Sequence, residues 1–251
     1  STPIKSSAAS DVYKRQGQVI QRIRATGKLP NKSESIIDTS FIIKKEYTEK
    51  DLFAYRGLWH STMHHGSFSA TTPEATLQNI NARLLQAHQT VPKLDWLMLT
   101  FGTAYVYEAK ETGKVVSNCH KLPENDFNRR LLSVDEIVDE YTSLITDMAA
   151  CNATLKFLFT VSPIRHIRDG MHANQLSKST LLLAVDRLQQ SFPEQVFYFP
   201  SYEIVLDELR DYRFYADDML HPSPLAVHYL WERFSETFFS SETKQVIRES
   251  P

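Results

Sequence analysis

The sequence predicts an α/β domain of three layers, in which helices cover both faces of a mainly parallel sheet. Amphipathic segments with a 3.6-residue period alternate along the chain with short, nearly continuous apolar runs. Continuous apolar runs are typical of strands that are buried on both faces, as the strands of parallel sheets are. The alternating order implies crossover connections between parallel strands and therefore an α/β/α arrangement.

Four helices are predicted from their capping residues and apolar periodicity. Ser133 begins a capping box that is followed by an apolar face. Thr72–Pro73 and Ser223–Pro224 each place a hydroxyl cap before a proline at the first helical position, where proline is best tolerated. Ser177 precedes the remaining helix, whose apolar residues begin at Leu181.

Three strands are predicted from the apolar runs between these helices. They cover residues 94–101 (LDWLMLTF), 155–161 (LKFLFTV) and 196–199 (VFYF). No internal repeat and no linker rich in Gly, Pro or Ser interrupts the pattern. The sequence therefore predicts one domain over residues 17–251.

The first sixteen residues do not fit this pattern. Ser1–Gln16 includes the string SAASDVYKRQ, which resembles a non-biological sequence found at the ends of reading frames assembled from metagenomic DNA. We expect residues 1–16 to be a non-native or disordered tail, with native sequence beginning near Gly17. On that interpretation the first strand of the sheet and any signal peptide have been lost.

Composition and charge limit the classes of function. The 251 residues carry 28 basic and 30 acidic side chains and a net charge of −2, which does not supply the basic surface that nucleic acid requires. No apolar run is long enough to span a bilayer. The two cysteines, Cys119 and Cys151, match no zinc or disulfide pattern, so a reducing, cytoplasmic location is expected.

Polar residues gather after the predicted strands, at the sheet edge where ligands bind in α/β folds. The most informative are Asp218 and His221, just before the last helix. Two intervening residues in a turn allow the carboxylate to reach the imidazole Nδ1–H, which leaves Nε2 as a base. On spacing alone, the competing interpretation is that both side chains are structural.

Five stretches of sequence carry a resemblance to a known family. They are WHSTMHHGSFS (59–69), TFGTAYVYE (100–108), SNCHK (117–121), TVSPIRH (160–166) and FPSYEIVLDELRDYRFYADDMLHPS (199–223). In this order they resemble the GSCFA family, a bacterial group related to the SGNH hydrolases. The resemblance implies an SGNH- or flavodoxin-like fold and ester hydrolysis, with Asp218 and His221 as the catalytic pair.

The resemblance also implies a site for the oxyanion of the reaction. The Gly-x-Asn block of SGNH hydrolases falls on residues 102–104, where Ala104 replaces the hydrogen-bonding asparagine. The remaining candidate donors are the amides after Gly102, the Thr103 hydroxyl, and the pair Asn118 and His120. Loss of one such donor typically lowers turnover about 10²–10³-fold.

The nucleophile implied by the resemblance is the serine of an N-terminal Gly-Ser-Cys-Phe-Ala motif. The chain contains no such string, and we expect it upstream of Gly17. Ser67, in the string HHGSFS, is the substitute that the chain itself offers, but no strand is predicted before it. The chain as given is therefore expected to lack a competent nucleophile.

Four further side chains are expected to contact a substrate: His64, His65, Arg165 and His166. A guanidinium binds carboxylate or phosphate in bidentate fashion, so Arg165 is a candidate anion binder. Pairing of Arg165 with Asp169 or another local acid is the alternative.

Three functions follow in order of preference. The first is an SGNH-like serine hydrolase, an esterase or deacylase acting on an acylated glycan or small metabolite, with no metal or organic cofactor. The second is a non-catalytic domain that binds a glycan or an acylated ligand, which the replacement at Ala104 favours. The third is a metal-dependent enzyme that uses His64, His120 and His166.

Overall fold

A computed structural model describes residues 46–249, with side chains described as far as residue 245. The predicted tail of residues 1–16, the predicted domain start at Gly17 and the expected loss of a first strand lie outside the described residues. The strands are β1 Phe53–Tyr55, β2 Leu58–His60, β3 Trp96–Phe101, β4 Tyr105–Ala109, β5 Val115–Val116, β6 Phe127–Leu131, β7 Lys156–Val161 and β8 Val196–Tyr198.

The helices alternate with the longer strands. They are α1 Pro73–Thr90, α2 Val134–Cys151, α3 Met171–Ser191, α4 Pro224–Phe238 and α5 Ser241–Glu249. A single helical turn, Ser201–Glu203, leads into a π-helical segment, Ile204–Leu209. Short 3₁₀ turns cover Glu49–Asp51, Gly66–Phe68, Val91–Lys93, Glu124–Asp126, Ile167–Asp169 and Tyr212–Phe214.

The apolar runs form the parallel sheet that the sequence predicts, in the order β3-β7-β8. β7 lies in the middle and pairs with β3 in register from Trp96 opposite Lys156 to Phe101 opposite Val161. The Ser162 amide extends this ladder with a hydrogen bond of 2.8 Å to the Phe101 carbonyl. Because the strands are parallel, the chain leaves β3 and β7 at the same edge of the sheet.

Alternate side chains of β7 enter two cores, one on each face of the sheet. Phe157 and Phe159 are fully buried in a core to which α2 and α3 contribute. Leu158 points the other way, into a core built with the π-helical segment and α4. Successive side chains of β7 point to opposite faces of the sheet, and both faces are apolar, so helices cover the sheet on both sides. The predicted α/β fold class is confirmed.

Three of the four predicted helix starts are confirmed. The Ser133 hydroxyl accepts the Glu136 amide at 3.1 Å, and the Glu136 carboxylate accepts the Ser133 amide at 2.8 Å, which completes the capping box. Thr72 and Ser223 cap α1 and α4 with hydroxyls that each accept an amide three residues later.

The predicted start at Ser177 is wrong, because α3 begins at Met171 and Ser177 lies in its interior. The preceding residue, Gly170, has a φ of +80° and provides no side-chain cap. The first two turns of α3 are polar, so the apolar period that signals a helix starts only at Leu181. Three polar residues of those turns, Asn174, Ser177 and Lys178, are buried.

A second sheet, with the antiparallel order β5-β4-β6, was not anticipated from the sequence. Its first turn uses Gly113, whose φ of +68° lies in the left-handed region and whose amide donates to the Ala109 carbonyl at 2.7 Å. Val106 of β4 and Ala104 before it are buried in the α2–α3 core. The alternating Tyr-Val-Tyr run and the Thr112–Gly113 turn were the available signals.

The aromatic centre of the core allows a test of the fold. The ring of Phe159 lies 5.4 Å from that of Phe101 and 5.7 Å from that of Tyr141. Phe159→Ala is expected to lower the free energy of unfolding by about 3–5 kcal/mol, measured by urea denaturation. Leu183→Ala, at a position that is 57% exposed on α3, should change it by only about 0.5 kcal/mol. Equal losses in the two variants would contradict the core assignment.

Candidate active site

Asp218 and His221 contact each other in the turn before α4. The Asp218 carboxylate binds the His221 Nδ1 at 2.5 Å through Oδ2, and its Oδ1 accepts the backbone amides of Leu220 and His221, each at 2.9 Å. Met219, between them, has a left-handed φ of 59°, which is unfavourable for a residue with a side chain. The three hydrogen bonds to one carboxylate hold the turn in this shape.

These hydrogen bonds also favour the ionised form of the Asp218 carboxyl group. The amides of His221 and Leu220, followed by the His221 ring, lower the pKa of Asp218 to about 2. The carboxylate is therefore ionised at neutral pH and can only accept hydrogen bonds. Nδ1 of a neutral His221 must then carry the hydrogen, and Nε2 has the free lone pair that a general base requires.

Arg165 joins the segment after β7 to this turn. Its Nη1 donates to the Met219 carbonyl at 3.2 Å, and its guanidinium lies 4.2 Å from the ring centroid of Tyr215. Asp169, the alternative partner for Arg165, instead forms a two-point ion pair with Arg129. No carboxylate among the described residues lies within ion-pair distance of Arg165.

His166 lies at the end of β3, beside Gly102. Its Nε2 is 3.6 Å from the position that a Cβ on residue 102 would occupy, so the imidazole packs against the Gly102 backbone. Burial and then the charge of Lys178 lower the pKa of His166, with smaller contributions from Arg129 and His221.

Two of the expected oxyanion donors are already hydrogen-bonded. The Ala104 amide donates to Ser177 Oγ at 2.8 Å, and the Thr103 hydroxyl lies 3.0 Å from the same oxygen. The Thr103 hydroxyl also accepts the Tyr105 amide at 3.2 Å. The Thr103 hydroxyl and the Ala104 amide therefore stabilise the loop after Gly102.

His120 belongs to a second group of polar residues, which we call the histidine cluster (His60, His64 and His120), and Asn118 adjoins it by accepting the His120 amide through Oδ1 at 2.9 Å. His120 Nε2 lies 2.7 Å from the Ser61 carbonyl oxygen, and His64 Nδ1 lies 3.0 Å from Ser61 Oγ. The rings of His60 and His120 are 4.5 Å apart. His60 and His64 are buried, and His60 is a member that sequence reasoning missed.

The histidines proposed as metal ligands do not converge. His64 and His120 lie in the histidine cluster, whereas His166 contacts the Gly102 loop. Within residues 46–249, no group of three or more His, Cys, Asp or Glu side chains is arranged to hold a metal ion. The remaining predicted contact, His65, is exposed and uses Nδ1 to cap the turn that contains Ser67, whose hydroxyl lies 3.0 Å from it.

Three buried serines lie at the carboxyl edge of the sheet, and each has a structural hydrogen bond. Ser162 Oγ accepts the Ile164 amide at 3.2 Å, and Ser201 Oγ donates to the Val161 carbonyl at 2.8 Å. Ser177 binds the Gly102–Ala104 loop, as described above. None of these three hydroxyls bonds to His221 among the described contacts, so none is placed as its nucleophile.

Lys178 is a site residue that sequence reasoning missed. It is 1% exposed, and its Nζ donates to the carbonyls of Gly102 and Ser162, at 2.6 Å each. Burial lowers the pKa of this amine to about 7. If the sequence analysis had begun α3 at Met171, the helical period would have placed Lys178 on the buried face. It would then have been recognised as a charged residue in the core.

A cavity of about 850 Å³ lies elsewhere in the molecule. It is lined by residues of β1, β5 and the loops around them, including Phe53, Ser61, Val116 and Asp126. It adjoins the histidine cluster through Ser61, and neither Asp218 nor His221 lines it. The Asp218–His221 pair therefore lies outside this cavity.

The fold and these contacts define an α/β/α domain with a candidate site at the carboxyl edge of its parallel sheet. The model of the GSCFA family matches residues 24–234, and the chain belongs to that family. The match includes every residue of the candidate site. No curated protein and no solved structure matches the chain. None of the described helices is both long and apolar enough to cross a membrane.

The buried His64 of the histidine cluster is expected to make the free energy of unfolding depend on pH. Burial, and then the charge of His120, lower the pKa of His64 to about 4 from an unfolded value of 6.5. Between these values the unfolded chain binds a proton that the folded protein does not. The His64 contribution to the free energy of unfolding is therefore expected to fall by about 3 kcal/mol as the pH drops from 6.5 to 4.

Urea denaturation across that range measures the effect. His64→Gln should flatten the pH dependence, because it removes the group with the largest shift among the cluster. His172→Gln, at an exposed position of α3, is the control and should keep the wild-type slope. An unchanged slope in His64→Gln would contradict the burial of a neutral His64.

Proposed function

We propose that the protein is an SGNH-like serine hydrolase that cleaves an ester in which a glycan or a small metabolite carries the acyl group. The hydrogen bond of 2.5 Å between Asp218 Oδ2 and His221 Nδ1 carries the proposal. It orients a neutral imidazole with Nε2 available to accept a proton. Membership of the GSCFA family supports it, because the resemblance described under Sequence analysis relates that family to the SGNH hydrolases.

In the proposed reaction, the serine of the family's Gly-Ser-Cys-Phe-Ala motif, which we place N-terminal to Gly17, attacks the ester carbonyl carbon. His221 Nε2 takes the serine proton as the new C–O bond forms. When the tetrahedral intermediate collapses, the bond to the leaving alcohol breaks and His221 returns the proton to it. Water then hydrolyses the acyl-enzyme by the same proton path, and Asp218 stabilises the imidazolium in both steps.

We assign stabilisation of the oxyanion to the backbone amides of Gly102 and Thr103. The Ala104 amide is used by Ser177, and Asn118 and His120 bond within the histidine cluster. Donors fixed by the protein fold stabilise a developing charge without reorganising. Arg165 and His166 adjoin the same edge, and we propose them as the substrate contacts.

The second candidate is a non-catalytic domain that binds a glycan or acylated ligand on the same fold. The observation that favours it is the engagement of both Thr103 and Ala104 by Ser177, which leaves fewer donors for an oxyanion. On this hypothesis ligand binding survives His221→Ala and no turnover occurs.

A fluorophosphonate probe that reacts with activated serines distinguishes the two candidates. The protein preceded by its native upstream sequence should gain one adduct in an intact mass spectrum, mapped to the Gly-Ser motif. His221→Ala should abolish it, and Asp218→Asn should slow labelling at least about 100-fold, because the asparagine no longer fixes the tautomer of His221. Asp217→Asn, an exposed neighbouring carboxylate, is the matched control.

Other outcomes decide against the hydrolase. Absence of an adduct on folded protein would favour the binding domain. An adduct on Ser67 would replace the proposed nucleophile, since that hydroxyl lies beside His65 rather than His221.

Arg165 allows a test of substrate charge. Its guanidinium has no acidic partner among the described residues and lies beside the Asp218–His221 turn, so we expect it to bind an anionic group of the substrate. Arg165→Gln should lower kcat/KM about 10–100-fold for 4-nitrophenyl hydrogen succinate, which carries a carboxylate, and leave 4-nitrophenyl butyrate nearly unaffected.

The matched control for this experiment is Arg168→Gln. Arg168 is exposed and paired with Glu124, so its replacement should leave the ratio of the two esters unchanged. Equal losses on both esters in Arg165→Gln would show that Arg165 supports the turn and does not bind an anion.

A further inference from the structure

One face of α3 holds the loops of the candidate site. Asn174, Ser177 and Lys178 are spaced i, i+3 and i+4, which places them on one face of an α-helix. We call them the α3 polar face. They are 4%, 2% and 1% exposed, and buried polar groups are stable only when hydrogen-bonded.

Two members of the α3 polar face bind backbone amides of the site loops. Asn174 Oδ1 accepts the His166 amide at 2.9 Å, on the segment that follows β7. Ser177 Oγ accepts the Ala104 amide at 2.8 Å, on the segment that follows β3. The helix therefore holds both segments to one rigid element.

Lys178 connects the same two segments directly. Its amine donates to the Gly102 carbonyl and to the Ser162 carbonyl, at 2.6 Å each, and these residues directly follow β3 and β7. No acid among the described residues forms an ion pair with it, and the ring of Tyr202 lies 5.9 Å away. An apolar side chain of the same length would fill this space but would leave the Gly102 and Ser162 carbonyls without the donor that joins them.

We propose that Lys178 is a positioning residue of the candidate site, whose amine joins the carboxyl ends of β3 and β7 and sets the Gly102 loop and the His166 ring against the bound substrate. This inference rests on the proposed function, because it takes that edge as the place of reaction. It assigns Lys178 no contact with the reacting atoms. Its action is through the two carbonyl groups and through its charge.

The charge acts on His166. The groups that influence this imidazole are Lys178, Arg129 and His221, and after burial the largest effect on its pKa is the lowering caused by Lys178. The amine itself faces the carbonyls of Gly102 and Ser162, and its Nζ lies 5.9 Å from the centroid of the Tyr202 ring. When the Lys178 amine is protonated, its charge adds to burial in disfavouring the charged form of the His166 imidazole.

The test uses Lys178→Met in the full-length protein, with Lys93→Met, an exposed lysine, as the matched control. Ring resonances of His166 and backbone amide resonances of Thr103 and Ala104 are followed by NMR as the pH changes. In Lys178→Met the pKa of His166 should rise, because the positive charge that lowers it is removed, and both amide resonances should shift. The rate constant for fluorophosphonate labelling should fall at least tenfold, with little change in the concentration needed for half-saturation.

A folded Lys178→Met protein whose His166 pKa and loop amides match those of Lys93→Met would overturn the inference. If Lys178→Met does not fold, the inference is tested by NMR titration of the wild-type protein. The Lys178 amine should then titrate far below the ordinary lysine value of 10.5, and the His166 resonances should respond at the same pH. Titration near 10.5, or a His166 that does not respond, would overturn it.

The proposed hydrolase activity can fail separately from this inference. A wild-type protein that takes no fluorophosphonate label would refute the hydrolase. The NMR response of His166 and the loop amides would still decide whether Lys178 positions the site for a bound ligand.

Discussion

Parallel pairing between β3 and β7 brings the candidate site together. The two strands run in register from Trp96 opposite Lys156, so the chain leaves both at one edge of the sheet. Gly102 and His166 meet at that edge although more than sixty residues separate them, and Arg165 extends from the same exit to the turn of His221. An antiparallel pair would send one exit to the opposite edge, and these polar side chains would not converge.

Patterns that are local in sequence were predictable, and patterns that depend on tertiary contacts were not. Three strands and three helix starts follow from apolar runs and capping residues, because those signals lie within a few residues of the feature that they specify. The placement of Asp218 beside His221 is likewise local to one turn. The interior position of Ser177 was missed, because the first two turns of α3 carry polar residues that face inward rather than the apolar period of a helix.

The same limit explains which site residues were found. Lys178 bonds carbonyls 76 and 16 residues away, and nothing near it in the sequence indicates that its amine is buried. Thr103 was considered as a donor to an oxyanion, but its hydroxyl has Ser177 as a neighbour, 74 residues later in the chain. A hydrogen-bond partner that is distant in sequence can be recognised only once the helix and the strands have been placed against each other.

Helix α3 has two roles that are not separable. Its later turns insert Leu181, Val185 and Leu188 into the core, and its earlier turns bind the loops at the edge of the sheet. Mutational drift in the core that moved this helix along its axis would displace His166 and the Gly102 loop by the same amount. Selection for site geometry therefore also constrains packing positions that never meet a ligand, and repacking of this core in protein engineering would have to preserve the axial position of the helix as well as its volume.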